Sequence, residues 1–350
     1  MDAQRKQAAG RAGDRGHRAE SPWQMPPAAW KDIARRTWIR TWQDNVGLVA
    51  AGVTYYGFLA LVPLLGIIVL LYGLIADAST VVSNVRSLTD VLPPDVAKWI
   101  AEQLIAAVQT SEQTKGFSLV AALLVALYGG TNGAGAIITA MNIAYEEKEK
   151  RTLLHFYAIA MTMTVVAVVL AIVALGATAA ISYFGTGPSD ASPMAVFGAK
   201  AGAYLAMTVA AAGIAASLYR YGPSRENAKW TWITPGSLFA AGSWLLLTSL
   251  FGVYVTQVTD YSATYGSLGT IIALLTWIYL SAYALIFGAE LNSEIEHQTA
   301  KDSTTGPPVP LGQRGAWAAD NVATSDEPDR REAPTMADAT PDPPKLEDKG

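Results

Sequence analysis

The chain has 350 residues, is 51% hydrophobic and only 15% charged, with a mean hydropathy of +0.25 and a net charge of −4. That is too apolar for an ordinary water-soluble protein of this length. It has no cysteine, which excludes a disulfide framework and a thiolate metal site, and only His17, His155 and His297, far apart in different regions, a pattern that argues against a histidine-based zinc centre.

Residues 1–28 are Ala, Gly, Arg and Pro with little periodicity and are expected to be a disordered tail. They are polar and Arg-rich for too long to be a cleavable signal peptide. Residues 29–46 are expected to form an amphipathic helix lying at headgroup level, because Trp30, Trp38 and Trp42 alternate with Lys31, Arg35, Arg36 and Arg40 ahead of an apolar run.

The first apolar span covers about 47–75, and Pro63 inside it should kink the helix, since proline lacks the N–H and clashes with the preceding turn. Residues 77–115 carry Asp90, Asp95, Glu102 and Glu112 and are too polar to span. Val96, Ile100, Leu104 and Val108 recur there at helical spacing, which predicts an amphipathic helix. The second span, about 117–144, holds Gly129, Gly130, Gly133 and Gly135 around Thr131 and Asn132. Two readings fit: close helix packing through the Gly129/Gly133 pair, or a helix interruption that lines a polar cavity. The third and fourth spans cover about 153–184 and 196–218, the latter with a small-residue stripe at Gly198, Gly202, Ala206 and Ala210. The fifth covers about 232–258.

The sixth span, about 267–290, carries no charge from Leu268 to Ala289. Those residues cover roughly 33 Å as a helix, enough for a bilayer core. The run then meets Glu290, Asn292, Glu294 and Glu296. Residues 301–350, rich in Pro, Asp, Lys, Ser and Thr, are expected to be a disordered tail.

The expected fold is therefore all-α and polytopic, a six-helix membrane domain over 47–300. Lys and Arg gather before span one, between spans two and three (Lys148, Lys150, Arg151), and between four and five (Arg220, Arg225, Lys229). Basic residues stay on the cytoplasmic side, so both termini are expected there and the 77–115 segment outside.

Four stretches carry a resemblance: AAGVTYYGFLALVPLL (50–65), GGTNGAGAIITAMNIAYEEKEKR (129–151), LYRYGPSRENAKWTWITPGSLFAAGSWLLLTSLFGVYV (218–255) and YGSLGTIIALLTWIYLSAYALIFGAELN (265–292). The chain resembles the YihY/BrkB family of bacterial inner-membrane proteins, a family once named ribonuclease BN. The match covers about residues 38–296, all six spans in order. Leu61–Val62–Pro63 stands where the family has Ser-Phe-Pro. The resemblance implies an integral protein of the bacterial inner membrane, with members linked to serum resistance and to lipid or lipopolysaccharide export.

A nuclease needs acid–base groups or a carboxylate/histidine metal cluster. Carboxylates cluster only at 146–149 and 290–296, without a histidine cluster, so no enzyme activity, metal or other cofactor is expected. No G-x-x-x-x-G-K-[ST] loop is present for ATP. Polar residues within spans are costly in lipid and face protein or water. The candidate substrate path is accordingly Thr54, Tyr55, Asn132, Asn142, Glu290 and Asn292. Glu290 either marks the end of its span or interacts with a proton or a headgroup. The favoured function is a transporter or facilitator of lipid or another amphiphile for the cell envelope; the alternative is a non-transporting scaffold. Expected partners are membrane lipid, with envelope proteins and a homo-oligomer compatible with the sequence, and no nucleic acid.

Overall fold

The computed structural model of the protein describes residues 15–73, 117–185, 193–255 and 268–323, together with Glu102. The regular elements are helices: α1 (Pro27–Gln43), α2 (Val46–Gly73), α3 (Phe117–Ala144), α4 (Leu153–Gly185), α5 (Pro193–Tyr221), α6 (Trp230–Val253), α7 (Gly269–His297) and the single turn α8 (Trp317–Asp320), with a 3-10 turn at Pro22–Gln24. Among the described residues the β pairing is one isolated bridge, Ala228 to Thr304. The all-helical reading of the sequence holds.

Trp230–Val253 and Gly269–His297 are each long and apolar enough to cross a membrane, and Val46–Leu61 and Leu153–Val169 are shorter apolar helical stretches. Their hydroxyls are satisfied locally. Thr54 Oγ1 donates to the Ala50 carbonyl at 2.7 Å, and Thr131, Thr164, Ser249 and Thr276 make the same bond one turn back. A hydroxyl closed onto its own helix adds little polarity to an apolar surface. Leu48, Leu124, Val165, Leu205, Leu246 and Leu250 all face outward, a larger apolar exterior than a water-soluble monomer carries.

Helix α7 is the hub: it packs on α6, α2, α1, α3 and α8. Its tightest crossing is with α6. A Cβ on Gly236 would lie 2.2 Å from the Gly288 carbonyl oxygen, and one on Gly288 would lie 2.7 Å from the Gly236 oxygen and 2.5 Å from the Tyr219 hydroxyl. Only glycine permits that approach. Two indoles reinforce the pair: Trp277 Nε1 donates to Thr248 at 3.2 Å and Trp244 Nε1 to Ser281 at 3.1 Å. A buried core of Val46, Ala50, Met141, Tyr145, Ile233, Ile286 and their neighbours joins α2, α3, α5, α6 and α7 at the end of the bundle where residues 15–25 and 298–323 pack.

Three expectations need correction. First, α3 is uninterrupted from Phe117 to Ala144, so Gly129, Gly130, Gly133 and Gly135 do not break it. A Cβ on Gly133 would come within 3.0 Å of Ala60 Cβ, so this glycine serves close packing against α2. Second, the N-terminal tail is ordered from Arg15: Ala19 and Met25 are buried against Ala29, Ile33, Trp232 and Ile295. Third, residues 301–323 are not a disordered tail. Ser303, Thr304, Ala318, Ala319 and Ala323 are buried. Their anchor is Arg314, whose guanidinium donates to the carbonyls of Val309, Lys301, Ala319 and Ala300. A side chain that ties four carbonyls orders a segment without apolar periodicity. The kink expected at Pro63, the helix expected over 77–115, and Gly198, Gly202 and Ala206 lie outside the described residues or side chains; Ala210 is exposed.

Candidate functional site

At the terminal end of the bundle the helices close over a buried ionic network. Its central group is Glu294 on α7. Arg36 Nε donates to Glu294 Oε2 at 2.6 Å, Arg40 Nε lies 3.3 Å from Oε1, and His297 Nδ1 lies 3.4 Å from Oε2. Arg36 also donates to Gln298 Oε1 at 2.6 Å and to the Glu294 carbonyl at 3.3 Å. Arg40 pairs in addition with Glu146. Glu146 has φ 56°, in the left-handed region just past the end of α3, where residues other than glycine are strained.

A second focus is Glu296. Arg225, from the α5–α6 loop, donates from Nη2 to both of its carboxylate oxygens at 2.9 and 2.8 Å, and Ser303 donates to Oε2 at 2.8 Å. The Arg225 guanidinium lies 4.7 Å from the centre of the Tyr145 ring. Burial opposes the charge on Arg225, but the Glu296 carboxylate outweighs it and holds the guanidinium above its ordinary range. Burial, with Glu296 beside it, pushes the Tyr145 phenol up as well, so Arg225 meets a neutral ring.

The folded-back C-terminal segment closes the network. The Trp317 backbone N–H donates to Glu147 Oε1 at 2.6 Å. The Trp317 ring lies 5.0 Å from the His297 ring and 5.4 Å from the Arg40 guanidinium. From the other terminus, the carbonyls of Arg15, His17 and Ala19 accept from Gln298, Ala300 and Thr299. Burial and then Arg36 hold the His17 ring below its ordinary value.

Glu290 stands one helical turn before Glu294 and is only 1% exposed. Its Oε1 is buried without a hydrogen-bond partner. Asp44, Glu294, Arg40, Glu146 and Tyr145 face it electrostatically. A buried carboxyl oxygen left unsatisfied is costly; Thr37 Oγ1, Arg220 Nε and Arg225 Nη1 are buried without a partner as well, and Glu290 is the carboxyl of this set on the apolar helix α7.

The comparisons with known proteins bear on this fold. The family model of virulence factor BrkB matches residues 37–310. The chain belongs to the virulence factor BrkB family. The matched region begins inside α1 and ends inside the folded-back segment: it takes in Arg40, Glu146, Arg225, Glu290, Glu294 and Glu296, and leaves out Arg36, Arg314 and Trp317. The ribonuclease-like protein YfkH of Bacillus subtilis (strain 168) is 28% identical over 250 residues, 70% of this chain and 88% of YfkH. A UPF0761 membrane protein of Albidiferax ferrireducens is 24% identical over 284 residues, 77% of this chain and 65% of the relative. Another, of Rhodospirillum centenum, is 24% identical over 302 residues, 84% of this chain and 64% of the relative. The chain thus spans somewhat under two thirds of the length of these two UPF0761 relatives. No solved structure matches it.

Of the residues singled out from the sequence, this BrkB-family fold gathers three around the network. Asn142 donates from Nδ2 to Glu149 at 2.9 Å and accepts from the Ser224 N–H at 2.7 Å. Asn292 accepts from the Gly236 N–H at 2.7 Å and donates to the Ile233 carbonyl at 2.9 Å. It thereby serves backbone groups around Pro235, which interrupts the ladder inside α6. Glu290 is the third. The others stand apart. Thr54 is closed onto its own helix. Tyr55 faces outward, its ring 5.4 Å from Tyr56. Asn132 is half-buried, about 15 Å along α3 from Asn142. Arg36, Arg40, Tyr145, Glu147, Arg225, Glu294, Glu296, Arg314 and Trp317 belong to the network although the sequence marks none of them as a site residue.

Proposed function

We propose that the chain is a multi-pass protein of the bacterial inner membrane, with six spans and both termini in the cytoplasm. It moves lipid or another amphiphile for the cell envelope rather than catalysing a reaction. One observation carries the reading: the carboxyl of Glu290, buried and with one oxygen unsatisfied, at the edge where the apolar helix α7 enters the buried ionic network. Ionisable groups held at membrane depth mark the paths of substrates and coupled protons. The outward apolar faces of the long helices and the membrane-protein names of the relatives agree with it.

The same network argues against hydrolysis. Glu146, Glu147, Glu149, Glu294 and Glu296 are each engaged by an arginine, a lysine, an asparagine or a backbone N–H. Among the described residues no group of three His, Cys, Asp or Glu is arranged to hold a metal ion. The ribonuclease-like name is said of YfkH, and the reading proposed for this chain assigns it no hydrolysis.

The test is translocation of a fluorescent phospholipid in proteoliposomes, with Glu290→Gln beside the native chain. The expected result is translocation above empty vesicles, reduced at least about tenfold in the variant while its fold is retained. A native chain that moves no lipid, with or without a pH gradient, overturns the reading in favour of an envelope scaffold.

A further inference from the structure

The structure divides the basic residues of α1 into two sets. Arg36 and Arg40 turn inward onto Glu294, with Ala29, Ile33, Thr37 and Thr41 buried beside them. Lys31, Arg35, Trp38 and Trp42 lie on the opposite side and are exposed, the two indoles to 57% and 68%. Spacings of four, three and four put these residues on one helical face. The indole rings touch edge to face, 6.0 Å between centres. The nearest acid, Asp32, is half-buried and answers Arg15 at 3.4 Å. The face is thus basic toward the start of α1 and aromatic toward its end. There a two-residue turn leads into α2 and its outward Leu48. The inward ion pairs fix the helix, so the face is presented rigidly.

We propose that this face binds the headgroups of anionic phospholipids in the leaflet on the side of the chain termini, Lys31 and Arg35 meeting the phosphate and Trp38 and Trp42 seating at the boundary of headgroup and acyl chain. The order of the chemistry carries this occupant. Cations lie farther from the apolar helices and indoles nearer to them, which is the order of charge and amphipathic depth in a lipid headgroup region. An acidic protein segment would answer the cations but would leave two indoles without apolar cover. The inference does not depend on the transport reading. A chain that binds anionic lipid here and moves none keeps this site and loses that function; a chain that moves lipid without preferring anionic headgroups does the reverse.

The experiment titrates the full-length chain, in neutral detergent micelles, with acyl-labelled phosphatidylglycerol and phosphatidylcholine. Expected for the native chain at low salt is a preference of at least about tenfold for phosphatidylglycerol, since each basic residue near an anionic surface contributes about fivefold. The double variant Lys31→Glu/Arg35→Glu should bind the two lipids equally. Trp38→Ala/Trp42→Ala should weaken both while keeping their ratio. Should the charge-reversed chain fail to fold, Lys31→Gln/Arg35→Gln reads the same loss. A native chain without preference overturns the proposal, as does a preference that survives the charge variants. A preference that appears only when residues 324–350 are deleted also overturns it, and assigns the face to the chain's own acidic tail.

Discussion

Glu294→Gln is the most informative single change, because it keeps the side chain's shape and removes one charge from the middle of the network. In the native chain Arg36 and Arg40 are nearly as buried as the carboxylate they share. Deleting one partner of a buried ion pair costs about 3–5 kcal/mol, mostly as the penalty for the charge left behind. Here the remaining partners soften the loss: Arg36 keeps Gln298 and a carbonyl, and Arg40 keeps Glu146. The expected cost is therefore near the low end, about 3 kcal/mol. The assay is unfolding in mixed micelles with increasing denaturing detergent, followed by circular dichroism. Arg36→Gln and the double variant complete a cycle, in which the coupling should reach about 1.5 kcal/mol because the contact is charge-assisted and buried. A cost below about 1 kcal/mol for Glu294→Gln, or strict additivity in the cycle, would refute the account of the network as the fastening of α1 to α7.

Glycine substitutions should separate two kinds of contact. Gly236→Ala drives a methyl into the Gly288 carbonyl and should prevent native packing of α6 on α7. Gly133→Ala meets the Ala60 Cβ at 3.0 Å, which can give only if α2 shifts by a few tenths of an ångström, and should cost about 1–3 kcal/mol, both read as unfolding midpoints. Truncation after Ala300 removes the Arg314 anchor and uncovers Glu147 and Glu296, and should be destabilising by at least about 3 kcal/mol in the same assay. For Glu149, burial alone would raise the carboxyl, but hydrogen bonds from Arg151 outweigh it and bring it down to about 2. A carboxylate lowered by folding stabilises fully above the ordinary glutamate value near 4.3, and that contribution fades as pH falls toward about 2. Acid titration of stability should therefore be flatter in Glu149→Gln than in the native chain, and equal slopes would contradict the assignment.

The helices were legible wherever an uncharged run had room to declare itself, as from Leu268 to Ala289. What escaped depended on partners distant in sequence. Lys31, Arg35, Arg36 and Arg40 look alike in a row, and only Glu294 decides which of them turn inward. The acidic run after Ala289 reads as an exit to water, yet Glu290, Asn292, Ser293, Glu294 and Glu296 are all buried, because α1, the α5–α6 loop and the folded-back segment supply the donors. That segment was invisible for a related reason. Arg314 and backbone carbonyls order it, and those leave no periodic trace in composition. The glycines of α3 were ambiguous because close approach and a break ask for the same residue. The partner Ala60 on α2 settles Gly133 for packing.

The separation of 258 positions between Arg36 and Glu294 also sets a schedule for biogenesis. Until α7 leaves the ribosome, Arg36 lacks the carboxylate it pairs with and Arg40 can pair only with Glu146, so the two terminal segments cannot be stitched together. Closure of this end is thus the last act of assembly. A nascent or truncated chain advertises its incompleteness by uncompensated charge at one defined place, the kind of mark by which a membrane protease can tell unfinished chains from finished ones.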